Sequence, residues 1–305
     1  NRDDLTVFAA DMDGWASGLY LVPAARRRLV EPGRSPAFIP GLAALVAQDA
    51  IDVVISTVDV ELAALAERRD ELAPAVLAAP SADTIATCLD KLALAERCAP
   101  TVRVPRTVLA APDALAIDWE FPVFAKPRSG AGSRGIRVVP DRAALEALPT
   151  DEGLIVQDLL PGEEYSVDVI ADAAGRVVAA VPRTRTRVDS GVSIAGRTVR
   201  DPELEETAAA VARAIGLVGV ANVQLRRDRA GRAALLEVNP RFPGALPLTI
   251  AAGVDIPSLV VDLFTGRALP ERLAFRELAS VRFLEDIVID PDEVLQSAHA
   301  AHQDE

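Results

Sequence analysis

Along the first eighty residues, apolar positions recur in two alternating rhythms. Residues 5–10 form a short apolar run that stops at Asp11, and residues 51–55 form a β-branched run of strand length. Residues 40–48 and 61–72 read as helices, with Leu62, Leu65, Ala66 and Leu72 close to one face of the second. Strands alternating with helices predict a parallel α/β sheet. The strand, helix and glycine turn that would ordinarily precede Leu5 are missing. The expectation is therefore an α/β domain over 1–82 that is incomplete at its N-terminal edge.

Residues 83–97 predict a single helix. Pro100, Pro105, Pro112 and Pro122 punctuate the stretch that follows, which reads as a linker or inter-domain crossing. Short strands are expected at 123–126, 136–139, 153–157 and 165–171. The clearest helix covers 201–215. Asp201 can cap its start, Pro202 fits the first turn and Gly216 can end it. Leu204, Ala208, Val211, Ala212 and Ile215 give that helix one apolar face. Residues 221–225 and 233–238, joined by a turn at 228–231, read as a β-hairpin, and 257–264 begins another helix.

Composition narrows the chemistry. The chain has 305 residues, half of them hydrophobic, which is enough for two or three domains and a sizeable core. A net charge of −13 argues against a phosphate-backbone or membrane-surface binder, and no apolar run is long enough to span a bilayer. Two cysteines, Cys88 and Cys98, make neither a disulfide framework nor a zinc pattern and fit the reducing cytoplasm. Both histidines, His299 and His302, lie in the last seven residues, so the body of the chain offers no histidine base or ligand. A metal here would be held by oxygen, which points to Mg²⁺ or Mn²⁺. Of 32 basic residues only Lys91 and Lys126 are lysines.

Gly130, Gly132 and Gly135 spell G-x-G-x-x-G within Ser129-Gly-Ala-Gly-Ser133-Arg-Gly135. A dinucleotide fingerprint would need a helix directly after the glycines, and a strand-like run follows instead. The Gly-Lys-Ser/Thr ending of a Walker loop and the kinase motifs are also absent. The remaining pattern is strand, Lys126-Pro127, glycine loop, strand: backbone N–H groups that can approach phosphate oxygens, with a cation at the base of the loop. An ordinary flexible turn with a surface lysine has the same pattern.

Glu237 and Asn239 are two apart and so share one side of a strand. With the hairpin turning at 228–231, Gln224 falls on the neighbouring strand with matching parity, and three oxygen-bearing side chains converge. That set suits a hard cation bridging nucleotide phosphates. Arg241, two residues on, is placed to meet an anionic substrate or an acyl phosphate. A polar, solvent-facing side of a hairpin fits the same residues. Between the two motifs, 157–168 reads Gln-Asp-Leu-Leu-Pro-Gly-Glu-Glu-Tyr-Ser-Val-Asp. This is an extended stretch whose backbone can pair the adenine edge, with carboxylates nearby for ribose hydroxyls.

Taken in order, these segments resemble the ATP-grasp superfamily, particularly its carbamoyl-phosphate-synthase-like and carboxylate–amine ligase members. The matching stretches are 121–135, 154–168 and 221–242, with Leu89-Asp-Lys91 similar to the family's phosphate-contacting lysine ahead of the lid. The resemblance implies two α+β subdomains gripping ATP behind an N-terminal pre-ATP-grasp α/β domain. On this reading 1–82 is the pre-ATP-grasp domain, 83–157 the linker helix and lid subdomain, and 158–305 the catalytic subdomain. The resemblance further implies that Lys91 and Lys126 bind phosphates under a lid formed by Ser129, Gly130, Gly132, Ser133 and Gly135. Gln157, Asp158, Leu159 and Leu160 would line adenine and Glu164 would hold the ribose. Gln224, Glu237 and Asn239 would position Mg²⁺, and Arg241 would steady the acyl phosphate. Pro243 and Ala245 stand where similar ligases often carry a glycine run, and a single ATP-grasp unit does not suffice for full carbamoyl phosphate synthesis.

The function expected is ATP-dependent ligation of a small, amino-acid-like carboxylate to an amine or another nucleophile, with ATP and Mg²⁺ as cofactors. No nucleic-acid or membrane partner is expected, and a homodimer is the assembly envisaged. Arg183, Arg185 and Arg187 alternate along one segment and would line one face to receive a carboxylate, an arrangement that a solvent-facing edge strand shares. The competing reading is an ATP-binding regulatory or scaffold module without ligase chemistry.

Overall fold

The computed structural model describes residues 2–110, 112–130, 135–149, 153–189 and 192–296. Its backbone contacts divide into two units. The first comprises Asn1–Val54, Arg68–Val76 and Phe283–Glu305, and the second Ile55–Glu67 with Leu77–Arg282.

In the first unit β1 (Ala9–Asp11) and β2 (Arg27–Leu29) pair in parallel, with Ala9 opposite Arg27. Helix α1 (Phe38–Gln48) buries Phe38, Ile39 and Val46. Just past its end, Asp49 takes a bidentate pair from Arg28 at 2.6 and 2.7 Å. The run at 51–55 contributes only β3 (Val53–Val54).

The helix expected over 61–72 is divided. Helix α2 (Asp59–Glu67), part of the second unit, ends as Arg68 leaves helical geometry (φ −111°, ψ 25°), and residues 69–72 form a 3₁₀ turn. After the short β4 (Val76–Leu77), the helix expected over 83–97 is also two: α3 (Ala82–Leu89) and α4 (Lys91–Cys98). Asp90 between them is extended (φ −108°, ψ 105°), and its carboxylate caps α4 by accepting from the N–H groups of Leu92 and Ala93 at 3.0 and 3.2 Å. The break therefore presents Lys91 at a helix start.

The proline-punctuated stretch is part of a folded domain and does not act as a linker. Strand β5 (Thr107–Leu109) forms the edge of an antiparallel sheet ordered β5-β8-β6-β7, and α5 (Pro112–Leu115) follows it. Pro105 and Pro112 flank the edge strand, where a missing backbone donor does not interrupt a ladder. The partners are β6 (Val123–Pro127), β7 (Arg137–Val139) and, after α6 (Arg142–Glu146), β8 (Leu154–Asp158). Val123, Ala125, Val139 and Val156 join Ala110, Ala114, Trp119 and Leu145 in one core.

The larger sheet is antiparallel in the order β10-β9-β13-β14, from β9 (Glu164–Ala171), β10 (Val177–Thr184), β13 (Gly219–Arg227) and β14 (Ala233–Asn239). Between β10 and β13 lie β11 (Arg187–Asp189), β12 (Val192–Arg197) and α7 (Pro202–Ala214). Helices α8 (Leu246–Ala251) and α9 (Ile256–Phe264) and strand β15 (Ala279–Val281) follow the hairpin, and β15 pairs with β12. Asp201 caps α7 by accepting from Glu203 and Leu204, and Gly216 ends it with a φ of +64°. Leu204, Ala208, Val211, Ala212 and Ile215 pack on Val167, Val169, Val223, Leu235 and Val238. One face of the sheet is thus sealed by α7, and alternation puts Ser166, Asp168, Asn222, Gln224, Glu237 and Asn239 on the other. No described helix is long and apolar enough to cross a membrane.

Leu204 is fully buried at this seam. Leu204→Ala is expected to remove about 2–5 kcal/mol, read as a lower urea midpoint, whereas a substitution at exposed Arg229 should leave the midpoint in place.

Candidate nucleotide and metal site

Lys126 gains its position from strand alternation. Val123 and Ala125 enter the core of the smaller sheet, so Lys126 faces the other side, where it is only 5% exposed. Burial lowers its pKa to about 8, with Lys91 pushing the same way and Glu237 pulling it back up. Lys91 is also lowered by burial, against the opposing charges of Glu237, Asp90 and Asp59. Two desolvated ammonium groups therefore face the same carboxylate.

Lys91 is pinned to the start of the glycine loop. Its backbone N–H donates to the Arg128 carbonyl at 3.0 Å, and Nζ donates to the Gly130 carbonyl at 2.7 Å. Arg128 forks onto Asp90 at 2.6–2.9 Å, and Asp90 bridges Ser129 across the backbone. Asp90 thus caps the helix and also anchors the loop, and the Arg128 guanidinium holds its carboxyl below the usual range. Gly130 (φ +116°) and Gly135 (φ +74°) adopt backbone conformations that L side chains rarely reach. At Gly135 a Cβ would also come within 2.9 Å of the Pro127 ring. Gly132 and Ser133 lie outside the described residues.

On the larger sheet the hairpin register sets Gln224 directly opposite Glu237, and Asn222 opposite Asn239. Asn239 Nδ2 lies 3.5 Å from Glu237 Oε1. Gln224, Glu237 and Asn239 therefore share a face, as expected from their parity. A register shift follows Gln224, where Leu225 pairs with Leu235 and skips one residue of β14. Among the described residues no cluster of three or more His, Cys, Asp or Glu forms a metal cage. A set of one carboxylate and two amide oxygens still fits Mg²⁺, which usually takes one or two carboxylates and completes its shell with water and phosphate oxygens. The paired lysines fit the phosphates themselves, because an anion between them relieves both desolvation and mutual repulsion.

Beside this row lies a network with no sequence signal beyond strand parity. Asp168 is fully buried and accepts from Arg183 Nε (2.9 Å) and Nη2 (2.7 Å), Asn222 Nδ2 (2.8 Å) and Thr249 Oγ1 (2.5 Å). It joins β9, β10, β13 and α8 on the same sheet face as Gln224, Glu237 and Asn239. The expectation that Arg183, Arg185 and Arg187 line one carboxylate-receiving face is corrected. Strand β10 ends at Thr184, so the three residues are not on one strand. Arg183 is 2% exposed and paired with Asp168, Arg185 reaches Glu164 at 3.1 Å, and Arg187 sits opposite Ala195.

The remaining positions divide by what already holds them. Strand β8 ends at Asp158, so the backbone of Leu159 and Leu160 leaves the ladder. Gln157 donates from Nε2 to Thr107 Oγ1 at 2.8 Å, and the Asp158 carboxylate takes Arg106 at 3.1 Å. Any adenine contact at Asp158 is left to backbone. Glu164 shares its carboxylate with Arg185. Arg241 forks onto Asp59 at 2.8 and 2.7 Å and gives Nη1 to the Phe242 carbonyl at 3.1 Å. Asp59, 182 residues away in sequence, was not foreseeable from the hairpin motif.

With this geometry in place, relatives are informative. A family model described as ATP-grasp in the biosynthetic pathway with Ter operon matches residues 150–287. The carbamoyl phosphate synthase large chain of Clostridium acetobutylicum is 29% identical over 168 residues, half of this chain and 16% of that one. The 3-methyl-D-ornithine–L-lysine ligase of Methanosarcina mazei is 28% identical over 161 residues, half of this chain and 42% of that one. Biotin carboxylase from Campylobacter jejuni, solved as a β,γ-ATP complex, superposes with a TM-score of 0.70 at 22% identity. That match covers 84% of this chain and 64% of the carboxylase, so this chain spans less than two thirds of each of the three proteins. Fold, motif order and relatives together make the chain similar to the ATP-grasp superfamily, in particular to its carbamoyl-phosphate-synthase-like and carboxylate–amine ligases.

Two predictions follow from the charges. With Lys126 at about 8, Mg-ADP affinity measured by calorimetry should bend downward above pH 8 as the ammonium deprotonates, approaching about tenfold per pH unit. Lys126→Arg, which cannot lose its charge, should remove that bend. The sign for folding is opposite: between about 8 and the unfolded lysine value the unfolded chain binds more protons, so this group's contribution to stability rises with pH. Separately, Asp168→Asn leaves Arg183 buried without its counter-charge, and its unfolding free energy should drop by about 3–5 kcal/mol.

Proposed function

We propose that the chain is an ATP-dependent ligase. It would activate a carboxylate as an acyl phosphate and join it to an amine or another nucleophile, with a small amino-acid-like acid as substrate. The observation that carries this reading is that Glu237, which faces Gln224 across the hairpin, supports the charge of both Lys91 and Lys126, the second of them buried on strand β6. Two cations and an oxygen donor set linked through one carboxylate suit a phosphoryl group in transfer together with its metal.

In this reading Lys126 and Lys91 neutralise phosphate oxygens from the β6 and α4 sides, and the Gly130 end of the loop covers them. Gln224, Glu237 and Asn239 hold Mg²⁺, which bridges the phosphates and offsets their charge. Leu159 and Leu160 meet the adenine edge with backbone groups, and Glu164 meets the ribose. Arg241 steadies the acyl phosphate until the nucleophile attacks its carbonyl and phosphate departs. Residues 83–157 carry the phosphate-binding side, 158–305 the metal side, and 1–82 the pre-ATP-grasp domain. The similarity to a ligase named for joining 3-methyl-D-ornithine to L-lysine supports an amino-acid-like substrate.

The test is release of ADP and phosphate with Mg²⁺-ATP across a pool of amino acids and small carboxylates. The expected outcome is release that depends on one acid and falls about a hundredfold or more in Glu237→Ala. If ATP binds but no acid elicits ADP release, the ligase reading is sunk and an ATP-binding module remains.

A further inference from the structure

We infer that Asp59 is a positioning residue for Arg241, holding its guanidinium so that one pair of N–H groups stays aimed at the phosphoryl group in transfer. The inference rests on the ligase reading above and adds a residue that neither the ATP-grasp motifs nor the hairpin contains.

The geometry is specific. Asp59 takes Nε–H and one Nη2–H of Arg241 in a side-on fork at 2.8 and 2.7 Å, and the Phe242 carbonyl takes one Nη1–H at 3.1 Å. Those contacts use three of the five N–H donors of a guanidinium. The two left, one on each Nη, are available to oxygens of a phosphate. Both side chains are mostly buried, 22% and 17% exposed, so solvent screens the pair less than it would on the surface.

Its position makes this more than a surface ion pair. Arg241 follows strand β14 by two residues, so fixing its head fixes it relative to Glu237 and Asn239. The Asp59 backbone opens α2, where Ser56 and Glu61 bond to one another at 2.7 Å across the helix start. Asp59 is therefore presented by an ordered turn.

Arg241 without Asp59 would keep its charge but lose its fixed plane. Because orientation matters most where charge develops, the loss should fall on binding of the transferring group and spare nucleotide affinity. The probe is Mg-ADP with and without aluminium fluoride, which stands in for that group, with affinity read by calorimetry. For Asp59→Asn, Mg-ADP affinity should stay within about threefold, while the gain conferred by aluminium fluoride should shrink about tenfold or more. Asp59→Glu should restore part of the gain, and Asp59→Asn combined with Arg241→Lys should lose little more than Arg241→Lys alone.

If wild type gains affinity from aluminium fluoride and Asp59→Asn gains equally, Asp59 is structural only and the inference is overturned. The same holds if the two substitutions add independently. If wild type shows no gain at all, the ligase reading falls, and the inference with it. Thermal unfolding of Asp59→Asn run alongside separates lost positioning from lost fold, since a purely structural role would lower the melting temperature without changing the aluminium fluoride gain.

Discussion

Burying an ammonium is unfavourable unless an opposite charge is near, and this constraint organises the site. Strand β6 must turn Lys126 away from the apolar core of its own sheet, and the face it turns toward has Glu237 as the counter-charge. Glu237 is supplied by a different sheet, on a hairpin whose register also fixes Gln224. The Asp90 break sets Lys91 at a helix start, where the same carboxylate favours its charge. The glycine loop start, the helix break and the hairpin are therefore tied to one electrostatic centre. Each also does local work as a turn, a cap or a ladder.

On the same sheet face the protein uses a different solution to the same problem. Arg183 and Asp168 are taken out of water completely, and their interaction is saturated by Asn222 and Thr249. A buried pair of this kind does not stabilise the fold more than apolar packing would. It does fix the geometry, because four elements must meet at one carboxylate. Gln224, Glu237 and Asn239 stand next to it on the same face, and among the described residues their oxygens are less fully used than those of Asp168.

Much of this was legible in the sequence, for identifiable reasons. The α7 helix announced itself through Asp201, Pro202 and Gly216, whose effects are local. That Gln224, Glu237 and Asn239 share a face was legible because period-two alternation and the turn at 228–231 determine parity, as the register shows. The helix break at Asp90 was obscured because 83–97 keeps a helical composition throughout. A carboxylate that caps N–H groups while binding Arg128 is recognised only once its partner is placed. Arg183 was misread because alternation identifies a face but not whether that face is open, and here Asp168 had already filled it. Asp59 had no local signal, because its partner is 182 residues away.

The near absence of lysine also acquires a physical reading. A guanidinium stays charged at any working pH and brings five donors that need acceptors, so each Arg placed in this site comes with a partner of its own. Arg241 has Asp59 and the Phe242 carbonyl, Arg183 has Asp168, and Arg128 has Asp90. Lys91 and Lys126 share Glu237 instead, which is workable because an ammonium is compact and can shed its proton when crowded. Lys126, with a pKa lowered to about 8, is already part-way to doing so. In a chain that otherwise writes arginine, the two lysines stand where burial lowers the pKa of each and one carboxylate, Glu237, supports both.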